Sequence, residues 1–164
     1  MDGRRDVVVV GVDGSEASEA ALRWAFDEAE REDAELEVVC AWEYPERSAP
    51  FLIGGGAIYD AAMADAHAVL ATMVLQLDTE RPDSTLVVHE VAVPGPPAPA
   101  LLQRAEDARL LVVGSRGRGT LRSLFLGSVS KQCREQAPCP VVIVQPGRGG
   151  ADATVRRSEA RATS

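Results

Sequence analysis

Short apolar runs alternate with amphipathic helical patterns along almost the whole chain, and that alternation limits the folds open to it more than any other feature. Five runs rich in β-branched or aliphatic residues read as strands: Val7 to Val12, Leu36 to Trp42, Thr85 to Val93, Arg109 to Val113 and Val141 to Val144. Several are apolar without alternation, as expected of strands covered on both faces. Between them, Leu22, Ala25, Phe26 and Ala29 form an i, i+3, i+4, i+7 stripe, with Ser15 as N-cap and Glu16 and Glu19 in the first turn. Arg23, Asp27 and Arg31 line the opposite face of that helix and read as solvated. Ala62, Ala66, Val69, Leu70, Met73 and Leu77 share one face of a second helix. A third runs from Pro99 to Glu106, and a fourth from Ser128 to Ala137, stopped by Pro138. Strands alternating with helices imply βαβ units, hence an α/β protein with a parallel sheet and right-handed crossovers. These patterns do not set the order of the strands.

At 164 residues the chain suits one domain with a substantial core. Its 46% hydrophobic and 26% charged residues are ordinary for a soluble globular protein. No apolar run approaches the ~20 residues needed to span a bilayer. The six uncharged residues before Asp13 are too few for a secretory signal. A cytoplasmic protein without membrane contact is the expectation. The three cysteines, Cys40, Cys133 and Cys139, form no CxxC pair and read as buried free thiols rather than metal ligands, in keeping with a reducing compartment. A net charge of −8 argues against nucleic-acid partners. The folded domain is expected over residues 1–146, with the polar, small-residue tail 147–164 disordered. The Pro- and Gly-rich stretch from Glu43 to Ala57 reads equally as a lid or partner contact and as a plain disordered loop.

One segment carries chemistry. Gly114-Ser115-Arg116-Gly117-Arg118-Gly119-Thr120 follows the fourth strand, and Gly127-Ser128-Val129-Ser130 opens the fourth helix. Glycines allow sharp turns and close backbone approach to a ligand, and the free N–H groups at a helix start favour an anion. From Ala108 to Arg134 there is no acid but six basic residues, which leaves the rest of the chain at −14. A compact polyanion such as a phosphate chain suits that segment. It is no Walker A loop, since Thr120 stands where the lysine belongs, and no dinucleotide fingerprint, since Arg122 replaces the third glycine.

The spacing Gly114-x2-Gly117-x9-Gly127-Ser128 resembles the ATP-binding motif of the universal stress protein family. The resemblance extends to Val10-Gly11-Val12-Asp13-Gly14-Ser15 and to Ala137-Pro138-Cys139-Pro140-Val141, covering roughly residues 5 to 146 in the family's order. It implies a doubly wound open sheet of five parallel strands, order 3-2-1-4-5, with helices on both faces. Asp13 and Gly114 would then end neighbouring strands at the switch point where such sheets bind ligands. It further implies ATP or ADP, with Mg, held by Gly11, Val12, Asp13 and Ala41 and by residues 114 to 120 and 127 to 130. Asp13 would contact ribose or a phosphate-bound Mg²⁺; the alternative is a turn or cap aspartate. Ser128 and Ser130 suit helix capping as well as phosphate contact. Trp42 suits core packing as well as adenine contact.

The function so implied is a nucleotide-dependent switch or adaptor in the stress response, with a protein partner of unknown identity. The alternatives are a slow ATP-hydrolysing enzyme and a dimeric module that binds no nucleotide. No catalytic residue is assigned: His67 reads as solvated and His89 as structural. Two stretches depart from the family pattern, Val93-Pro94-Gly95-Pro96-Pro97-Ala98 and Cys40-Ala41, where the family often has His-Val. Finally, Val141-Val142-Ile143-Val144 would be an uncharged apolar edge strand, which invites an antiparallel homodimer through that edge.

Overall fold

The computed structural model describes residues 5–43, 55–116, 126–147 and 154–158. Along the chain come β1 (Arg5–Gly11), α1 (Glu16–Glu32), β2 (Glu35–Trp42), α2 (Gly55–Glu80), β3 (Val88–Pro94), α3 (Pro97–Arg104), β4 (Ala108–Gly114), α4 (Ser128–Gln136), β5 (Val141–Gln145) and β6 (Thr154–Ser158). The strands form one sheet in the order β3-β2-β1-β4-β5-β6. The first five are parallel, in the order 3-2-1-4-5.

The uniform strand runs are explained by two cores, one on each face of the sheet. Val8 and Val10 point to the side covered by α1 and α2, where Phe26, Leu70 and Leu77 are buried. Val7 and Val9 point to the side covered by α3 and α4, with Leu101, Leu111, Cys133 and Ile143. Helix α1 begins where Ser15 Oγ accepts the Ser18 N–H and ends at Asp33 in the left-handed region, φ 53°. A bidentate pair between Arg104 of α3 and the buried Glu37 of β2, both contacts 2.6 Å, ties the second face together.

Four expectations need correction. Strand β3 starts at Val88 rather than Thr85, because Ser84 Oγ takes the Leu86 N–H and holds the chain in a turn before pairing begins. Helix α3 starts at Pro97 and ends at Arg104, since both Pro97 and Pro99 fit a first turn that needs no N–H. Helix α2 is long and apolar enough, by length and composition alone, to cross a membrane. Scattered aspartates hid this in the sequence, and one face of the helix packs on β2 and β3.

The fourth correction is the largest. The tail carries β6, paired antiparallel to β5 from Val141↔Ser158 to Gln145↔Thr154. The edge assigned to a partner's strand is therefore taken by the chain's own backbone. Five open ladder positions on an apolar strand outweigh the polar composition of the segment that fills them.

Candidate functional site

Strand β1 leads into α1 on one face of the sheet, and β4 leads toward α4 on the other. The two connections part at the C-terminal ends of the strands, and a cleft of about 400 Å³ opens there. That is a ligand-sized volume, within the range of about 300–1,000 Å³ typical of small-molecule sites. Gly11 and the next two residues, Val12 and Asp13, line it at the end of β1, Val39 to Trp42 from β2, and Val113, Gly114 and, just beyond the strand, Arg116 at the end of β4. Gly127 to Ser130 close it from the start of α4, while Ser18 of α1, Ala62, Asp65, Ala66 and Val69 of α2 and Pro97 and Leu101 of α3 complete the walls.

At the β1 end, Asp13 Oδ1 accepts the Ser15 N–H at 3.0 Å and the Ser15 hydroxyl at 2.5 Å. Gly14 between them has φ 78°, which favours a residue without Cβ. Asp13 thus shapes the turn and lines the cleft at once. At the β4 end, Gly127 caps α4 with no side-chain hydrogen bond, so the first N–H groups of that helix are not closed by a capping side chain. An anion is the natural complement to such a helix start. Among the described residues, Arg116 is the one basic side chain on the cleft wall.

The structure brings together Gly11, Val12, Asp13, Ala41, Gly114, Arg116, Gly127, Ser128, Val129 and Ser130. Gly117, Arg118, Gly119 and Thr120 lie outside the described residues, as do residues 44–54 of the stretch read as a lid. Ser115 is corrected: it is 1% exposed and does not line the cleft. Its N–H donates to Val144 O, and its carbonyl accepts from Gly127 N–H and Ser130 Oγ, so it pins the end of β4 to β5 and to α4. Ser130 is buried and its hydroxyl donates to the Ser115 and Gly127 carbonyls, so its side chain is engaged within the protein.

The role of Gly114 also changes. A Cβ there would lie 2.8 Å from the Ala17 carbonyl carbon and oxygen, so the α1 backbone by itself requires the glycine. Arg109 leaves the basic segment altogether: at the far end of β4 it pairs with Asp6 at 2.7 Å and with Glu32. A seven-residue strand separates its ends by roughly 20 Å, a distance that counting charges along the sequence ignores. His67 is exposed, as a solvated histidine should be, and His89 Nε2 lies 2.9 Å from Glu35 Oε2 in an exposed contact between β3 and β2. Sequence reasoning missed the wall from α2. Ala62, Ala66 and Val69 belong to the apolar stripe of that helix, and Asp65, which the stripe does not include, joins them on the cleft wall at i, i+3, i+4 and i+7 spacing.

Fold and cleft define an open, doubly wound α/β protein with a ligand-sized opening at its switch point. The universal stress protein family model matches residues 4–145, and the chain belongs to that family. It is 38% identical over 138 residues to the universal stress protein Rv2623 of Mycobacterium tuberculosis. That match covers 84% of this chain but 44% of the relative, so the chain spans less than half the length of such relatives. Among solved structures it is similar to the universal stress protein UspA from Lactobacillus plantarum, with a TM-score of 0.74, 21% identity, and 85% and 97% of the two chains covered. A universal stress protein solved in complex with cAMP is 30% identical, with a TM-score of 0.52 and 85% and 96% covered.

Proposed function

We propose that this protein binds an adenine nucleotide, ATP or ADP, in the switch-point cleft and acts as a nucleotide-dependent switch or adaptor. The observation that carries the reading is the two-ended lining. Arg116 and the uncapped start of α4 suit phosphates at one end, while Ala41, Trp42 and the alanines of α2 suit a flat base at the other. The related protein in complex with cAMP supports an adenine nucleotide as the class of ligand.

Mg²⁺ fits only as a companion of the phosphates. Among the described residues no group of three or more His, Cys, Asp or Glu could hold a metal, and one oxygen of Asp13 is engaged by Ser15. A phosphate-bound ion would take at most a further ligand from Asp13. Slow hydrolysis is the second reading, but no described histidine or lysine lines the cleft to act as a base. In the switch reading, phosphates bound at the start of α4 alter the surface beside the cleft, and a partner distinguishes the two states by its differential affinity.

Mass spectrometry of the purified, denatured protein tests the reading. Release of ATP or ADP in stoichiometric amount is expected; a protein that arrives empty and takes up neither nucleotide in calorimetry overturns it.

A further inference from the structure

Asp65 is the one charged side chain on the wall where β2 meets α2. Its helical neighbours in the cleft, Ala62, Ala66 and Val69, are apolar, and the strand opposite contributes Cys40, Ala41 and the buried Trp42. Among the described residues no hydrogen bond or ion pair engages the Asp65 carboxylate. Arg116 and the α4 start belong to a different wall, made by the chain that follows β4.

We propose that Asp65 reads the amino edge of the base, so that the cleft selects bases bearing an exocyclic amino group. This rests on the nucleotide reading above. An ionised carboxylate is an acceptor only, and beside apolar surface it gains from a ligand that brings an N–H donor. Adenine brings N6–H₂; an unsubstituted purine brings no donor on that edge. The same charge also orients the ligand. A phosphate chain is repelled by Asp65 and attracted by Arg116 and the α4 amides, so the nucleotide lies with its base against α2. A metal is the wrong ligand for this position: a single carboxylate among alanines supplies one side chain where a hard cation needs several oxygens.

The test compares ATP with purine riboside 5′-triphosphate, which differs only in lacking the amino group, by calorimetry on the wild type and on Asp65→Ala. A hydrogen bond to a charged group corresponds to about a ten- to hundredfold preference, so the wild type should favour ATP by that factor. In Asp65→Ala the preference should fall to within about twofold, with the affinity for the purine analogue retained. Asp65 is exposed, so the variant should keep the wild-type melting temperature, and Asp65→Asn, which keeps one acceptor oxygen, should fall between the two. A preference that survives in Asp65→Ala overturns the proposal, because the amino group is then read elsewhere. Equal weakening of both ligands also overturns it, since Asp65 would then hold the ribose. A wild type that binds both ligands equally removes the proposal but leaves the nucleotide reading standing; one that binds neither removes both.

Discussion

At the scale of single residues, glycines that look alike in sequence carry different constraints. A methyl group at Gly114 would meet the backbone of Ala17 at 2.8 Å, and a helix backbone cannot step aside. At Gly11 it would meet the side-chain tip of Leu101 at 2.7 Å, which can rotate. Gly114→Ala should therefore cost about 1–3 kcal/mol in urea denaturation, and Gly11→Ala about 1 kcal/mol or less. Ser128, exposed at the first position of α4, separates folding from binding. Ser128→Asp places a negative charge where a helix dipole welcomes it, raising stability by about 0.3–1 kcal/mol, yet it repels phosphates. Calorimetry should show nucleotide affinity reduced tenfold or more in a protein that melts no lower than the wild type.

Burial pushes the Cys133 thiol up to about 12, with neighbouring Cys139 adding to the shift. The unfolded chain loses this proton near pH 9 while the folded chain keeps it, so the stability held below pH 9 falls as the pH rises from there toward 12. Denaturation at pH 8 and pH 10 should show that fall in the wild type and a smaller one in Cys133→Ala.

At the scale of elements, much was open to reading and the failures are physical. Uniform apolar runs announced strands covered on two faces, and the stripe of Leu22, Ala25, Phe26 and Ala29 announced α1, because burial imposes both periods on the sequence directly. Asp13 and Gly127 marked the two ends of the cleft because turns and helix starts demand particular residues. The wall from α2 was hidden, since alanines facing a cleft and alanines facing a core are the same letters. Strand β6 was hidden too, because its pairing depends on an acceptor edge distant from its own composition.

That pairing makes a prediction. Deleting residues 147–164 uncovers the backbone of Val141 to Gln145, an apolar edge without a charge to guard it. The full chain should scatter light as a 17.4 kDa monomer, and the shortened chain should associate. A full chain that already dimerises through β5 contradicts the role assigned to β6.

At the scale of the whole molecule, a ligand bound only by the folded state stabilises everything at once. ATP at a hundred times its dissociation constant adds about 2.7 kcal/mol. For a protein of this size that corresponds to a melting temperature higher by about 5–10 °C, readable by scanning calorimetry. UTP should shift it less, because uracil carries no exocyclic amino group for Asp65 to read. Asp65→Ala should narrow the gap between the two.

The strand order also has a consequence in time. Strand β1 is made before both of its neighbours, β2 and β4. On a ribosome adding about 5–20 residues per second, its β2 side finds a neighbour within seconds, whereas its other side waits roughly 100 residues, about 5–20 s, for β4. Through that interval the nascent chain presents Val7 to Val10 as an apolar strand with one edge unpaired. The period of greatest vulnerability to misassembly therefore comes before the cleft exists, and it ends when β4 closes the sheet's centre.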